Sequence, residues 1–73
     1  MNTETTRVKL WRCGMSDKAM QFFVLPPGTD GNRSVWIPRS VIHHVSTLPP
    51  DGRSAFTPCL VDVEDWFVEK EDL

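Results

Sequence analysis

A mainly β fold is predicted for this chain of 73 residues. Four or five short antiparallel strands form a small barrel or strongly bent sheet, SH3-like or OB-like, closed by one short C-terminal helix. Three observations lead there. Residues Thr6 to Cys13 alternate apolar and polar, the period of a half-buried strand. Two loops of the Pro-Pro-x-x-Gly type, Pro26-Pro27-Gly28-Thr29-Asp30-Gly31-Asn32 and Thr47-Leu48-Pro49-Pro50-Asp51-Gly52-Arg53-Ser54, punctuate the chain with turn chemistry. After residue 62 the apolar period changes from two to that of a helix.

Each element follows from its residues. Residues 1–5 are polar and read as frayed. In the strand over 6–13, Val8 and Leu10 share one face, with Arg7, Lys9 and Trp11 on the other. Gly14-Met15-Ser16-Asp17 is a turn. The run Phe22-Phe23-Val24-Leu25, stopped by Pro26-Pro27, marks a second strand over 18–25. The third, over 33–37, is the centre of the chain: Val35 and Ile37 face one way and Trp36 the other. Pro38 fixes φ and lacks a donor, so the strand ends, bulges or lies on an edge there. Arg39-Ser40 is a polar corner before a fourth strand over 41–46, and a fifth covers 55–61, its start demoted to an edge or bulge by Pro58. Residues 63–71 read as a helix of about two turns, with Asp62 or a neighbour as N-cap and Glu64-Asp65 in the first turn. Too short to stand alone in water, it docks on the sheet through Trp66 and Phe67. Trp36 is expected in the core or as a lid over it, because so large a side chain is usually buried; the alternative is an exposed Trp that offers a stacking or docking face.

A chain of this size makes one domain at most, 1–73, near the lower limit for unaided folding, and homodimerisation is compatible with it. No run approaches the roughly 18 apolar residues of a membrane span. The polar N-terminus lacks the pattern of a secretory leader. The expectation is a cytoplasmic protein with Cys13 and Cys59 as free thiols.

Charge is unevenly spread. Residues 1–61 carry a balance of +3, and residues 62–73 a balance of −5, from Asp62, Glu64, Asp65, Glu69, Glu71 and Asp72 against Lys70.

No arrangement of residues points to catalysis, and neither a cofactor nor a metal is expected. His43 and His44 are strand neighbours that face opposite ways, one inward and one at the surface, so they do not share a metal. Gly28 and Gly31 lie in a Pro-rich turn without the Lys of a phosphate cradle.

Val35-Trp36-Ile37-Pro38-Arg39-Ser40 resembles the central Trp-Ile-Pro-Lys/Arg-Ser motif of small, mostly uncharacterised bacteriophage and prophage proteins. Val63-Glu64-Asp65-Trp66-Phe67-Val68-Glu69-Lys70 resembles their C-terminal Pro-Glu-Trp-Leu-type helix, with Glu64 where the Pro would stand. The resemblance covers about half of the chain. It implies a mobile-element setting in the cytoplasm of a bacterial host and no activity.

The expected function is that of a non-catalytic, phage-type accessory protein that docks on a host or phage protein. Its acidic end (Asp62, Glu64, Asp65, Glu69, Glu71, Asp72), with Trp66 or Trp36 as apolar anchor, would meet a basic surface and inhibit a nucleic-acid-handling machine. The alternative is a small barrel that binds single-stranded nucleic acid through Arg7, Lys9, Trp11 and Arg12. Net acidity favours the protein partner.

Overall fold

The computed structural model describes residues 4–49 and 56–73. Five antiparallel strands form one sheet: β1 (Thr5–Met15), β2 (Ala19–Phe23), β3 (Ser34–Pro38), β4 (Ile42–Thr47) and β5 (Thr57–Glu64), followed by the helix α1 (Asp65–Glu71). The order is β3-β2-β1-β5-β4. The two edge strands are consecutive in the chain and joined only by a 3-10 turn, Arg39–Val41. A link that short requires the sheet to bend strongly until its edges approach, yet β3 and β4 do not pair, so the barrel stays open.

Alternation decides what enters the bend. Leu10, Met20, Phe22, Val35, Ile37, Cys59, Val61 and Val63 point inward and are buried, joined by Val41 from the 3-10 turn and Phe67 from α1. Pro38 ends the edge strand β3, where its missing donor breaks no ladder bond. The turn after it is fastened by Arg39, whose N–H donates to Lys18 O at 2.8 Å and whose guanidinium Nε and Nη2 both donate to Ser16 O at 3.2 Å.

Several boundaries differ from the expectation. Thr5 is not frayed: it opens β1 opposite Glu64, while residues 1–3 lie outside the described residues. β5 runs three residues further than expected, to Glu64, because Val61 and Val63 alternate with Asp62 and Glu64 as one strand. It is an interior strand, not an edge, despite Pro58. Pro58 is only its second residue, and its carbonyl accepts from Leu48 N–H just beyond the end of β4, so no donor is missed inside the ladder. The second Pro-Pro loop, residues 50–54, and the expected start of the last strand at Ala55 lie outside the described residues.

Helix α1 is held at both ends. Asp65 N–H donates to Glu4 O at 3.0 Å, and Thr6 Oγ1 donates to Asp65 Oδ1 at 2.6 Å. At the other end Arg33 Nη2 donates to Glu71 O and Asp72 O, a cation on the carbonyls that a helix terminus leaves without partners. Asp72 closes the helix in the left-handed region at φ 54°. The N-cap is Glu64 rather than Asp62, and its side chain makes no capping bond.

Candidate functional site

The junction of β5 and α1 gathers most of the chain's chemistry. One carboxylate oxygen of Glu64, Oε2, bonds His43 Nε2 at 2.8 Å, and the other, Oε1, accepts from Trp66 Nε1 at 2.6 Å. These bonds, His43 first and Trp66 second, lower the Glu64 pKa below its ordinary value. One pair further along, Arg7 Nε donates to Asp62 Oδ1 at 2.9 Å and lowers the Asp62 pKa, with smaller help from His44 and His43.

Both histidines are exposed, which corrects the expectation of one inside and one outside. The reason is a bulge: the β4–β5 register shifts between Ile42 and His44, so the extra residue cancels the alternation. Among the described residues no three His, Cys, Asp or Glu side chains group to hold a metal ion.

The tryptophans are distributed differently from the expectation. Phe67 is buried and docks the helix, whereas Trp66 is 53 % exposed and does not. Its ring meets Phe67 edge-on at 5.7 Å, and its N–H is fixed on Glu64. Trp36 is 50 % exposed rather than core, because Val35 and Ile37 take the inward positions on either side of it. Trp11 is 8 % exposed although it shares a face with Lys9. It lies opposite Phe23 and Pro58 on the flanking strands, with Lys9 Nζ 5.5 Å from its ring centroid.

The acidic end is therefore not a uniform face. Asp62, Glu64 and Asp65 are engaged by Arg7, by His43 and Trp66, and by Thr6. Glu69, Glu71 and Asp72 have no side-chain partner among the described residues, and Glu69 lies one turn beyond Trp66. Of the alternative basic group, Arg7 is committed to Asp62 and Trp11 is covered. Arg12 lines an open cleft of about 370 Å³ with Cys13, Gly14, Met15, Phe56 and Thr57. Burial pushes the Cys13 thiol up, away from the reactive thiolate. Cys13 and Cys59 are both free. No helix among the described residues is long and apolar enough to cross a membrane.

Sequence reasoning missed the Glu64 bridge and the Arg33 contact, because both join residues far apart in the chain. Comparison with protein-family models, curated proteins and solved structures finds no match for this chain.

Proposed function

We propose that the chain is a non-catalytic binding protein that docks on a basic protein surface through the outer side of α1. The observation that carries this reading is Trp66: an indole half open to solvent, on a short helix pinned at both ends, with the unpartnered Glu69 one turn on and Glu71 and Asp72 at the helix end. A Trp already held in place loses little freedom on binding and is the side chain most often found at the energetic centre of an interface. Glu69 and the acidic end of the helix speed and orient the encounter with a cationic partner. The Trp-Ile-Pro-Arg-Ser resemblance supports a phage-type accessory role in the cytoplasm of a bacterial host. An acidic face also fits where such a partner holds nucleic acid, so inhibition by occupying that site is the specific form of the proposal.

Immobilised chain incubated with nuclease-treated bacterial lysate tests it. The expected result is a basic protein retained at low salt and displaced by a single-stranded oligonucleotide. It is lost with Trp66→Ala and with the triple variant Glu69→Gln, Glu71→Gln, Asp72→Asn. Retention that neither variant weakens overturns the reading. So does recovery of nucleic acid alone when nuclease is omitted.

A further inference from the structure

The ladder between β2 and β3 fixes which backbone groups of β3 are spare. Val24 N–H donates to Arg33 O at 3.0 Å, and Arg39 N–H donates to Lys18 O at 2.8 Å. Both lie on the register that pairs Phe22 with Val35 and Met20 with Ile37. In an antiparallel pair the N–H and C=O of one residue point to the same neighbour and alternate along the strand. Residues 33, 35, 37 and 39 therefore spend theirs on β2. Ser34 and Trp36 turn both groups to the open edge, whereas Pro38 has no N–H and, as the cap of the 3-10 turn, spends its carbonyl there. Two donors and two acceptors face outward in a row, beside the half-exposed Trp36 indole.

Charge frames this edge. Exposed Arg33 precedes it, and exposed Arg39 follows it beside Lys18 at the end of β2, a separation of roughly 20 Å along the strand. Arg33 and Arg39 spend donors on backbone carbonyls, not on carboxylates. The ion pairs among the described residues are Arg7–Asp62 and His43–Glu64, so all three cations keep their charge unpaired.

We infer that the β3 edge accepts an extended acidic segment of a partner protein as a sixth strand. Carboxylates at its two ends lie by Arg33 and by Arg39 with Lys18, and an apolar side chain packs on Trp36. Strand addition of this kind takes affinity from main-chain bonds and specificity from the flanking side chains. Charge decides against a second copy of this chain. A two-fold axis through Trp36 sets Arg33 opposite Arg39 of the other copy, and like charges opposed across a strand pair repel. The other open edge, β4, is interrupted by the His43 bulge, a common protection against pairing. This surface meets the one proposed on α1 at Arg33, which holds the Glu71 and Asp72 carbonyls, but Ser34→Pro and Trp36→Ala test it without touching α1.

The probe is a fluorescein-labelled peptide, Glu-Glu-Thr-Val-Thr-Val-Thr-Glu-Glu, titrated with the full chain and followed by anisotropy and amide exchange. The expected result is saturable binding below about 1 mM, weakened by salt, with new protection at the Ser34 and Trp36 amides. Arg33→Gln with Lys18→Gln weakens it about fivefold. Ser34→Pro removes an edge donor without touching the β2 ladder, so it keeps the fold and weakens binding about tenfold. Trp36→Ala gives the same direction should Ser34→Pro fail to fold. A version of the peptide with Lys in place of Glu does not bind. The inference is overturned by no saturable binding, by equal binding of the Lys peptide, or by protection that appears elsewhere. Self-association in sedimentation that Trp36→Ala abolishes also overturns it, in favour of a dimer.

Discussion

Trp66 Nε1 donates to Glu64 Oε1 at 2.6 Å, and the same carboxylate reaches His43 on β4 through its other oxygen. One side chain thus ties the last residue of β5, the first turn of α1 and the bulge of β4 together, and these bonds favour its ionised form.

Acid should therefore loosen this junction. Glu64 and Asp62 both have pKa values lowered in the folded chain, from ordinary values of 4.5 and 3.8. A group whose pKa is lower folded than unfolded adds stability above its unfolded pKa and loses it as pH falls through the folded one. The denaturant midpoint should begin to fall as pH drops below about 5 and keep falling until the lowered folded values are passed. Asp62→Asn and Glu64→Gln should each flatten that fall, and denaturation across this range by fluorescence checks it. A slope unchanged in both variants contradicts the linkage.

Arg33 should matter more to the end of α1 than to the sheet. Its guanidinium donates to the carbonyls of Glu71 and Asp72 but lies in solvent, so Arg33→Ala should cost about 0.3 to 1 kcal/mol, less at high salt. Amide exchange should quicken in the last turn of α1 and at Leu73, whose N–H bonds Val68 O at 3.0 Å. The ladder of β3 with β2 should be unaffected.

How much of this was legible in the sequence depends on range. Alternation is local, so the strands and their inward faces could be read from Val8, Leu10, Val35 and Ile37. The same alternation already pointed Trp36 away from Val35 and Ile37. Expecting it in the core let side-chain size outweigh position. At the end of β5 two periods compete over the same residues, since Val63 and Phe67 are spaced for a helix while Val61 and Val63 are spaced for a strand. The ladder with β1 resolves them in favour of the strand. The bulge at His43 leaves no local mark, because it depends on the register with β5, and so the shared outward face of the two histidines was invisible. The charge balance of residues 62–73 hides a contact for a similar reason, as the pairing of β1 with β5 brings Arg7 to Asp62 from 55 positions away.

Gly14 offers a test of the other bulge, where β1 shifts register against β2 between Arg12 and Gly14. A Cβ there would meet Gln21 Oε1 at 2.9 Å, the far end of a flexible side chain, and Gln21 Cβ at an acceptable 3.4 Å. Gly14→Ala should displace the Gln21 amide and its 3.3 Å bond to Ser34 Oγ, while the unfolded chain loses freedom. The two effects oppose, so thermal unfolding should place the variant within about 1 kcal/mol of the parent chain. A larger loss would mean that the backbone, and not Gln21, has to give.

Adjacent residues on α1 should separate folding from binding. Phe67 is 4 % exposed and joins the core, whereas Trp66 is 53 % exposed and contributes its edge and one bond to Glu64. Phe67→Ala should cost about 3 to 5 kcal/mol, a large share of the roughly 4 to 11 kcal/mol expected for a chain of this length. The helix should detach and the sheet melt early. Phe67→Leu keeps most of the volume and should cost less, giving a variant that still folds at room temperature. Trp66→Ala should cost no more than about 1 kcal/mol yet abolish capture of the basic partner. Urea denaturation of all three, set beside the capture assay, checks the pair. Equal destabilisation at both positions would mean that Trp66 belongs to the core and that no docking role is needed to explain it.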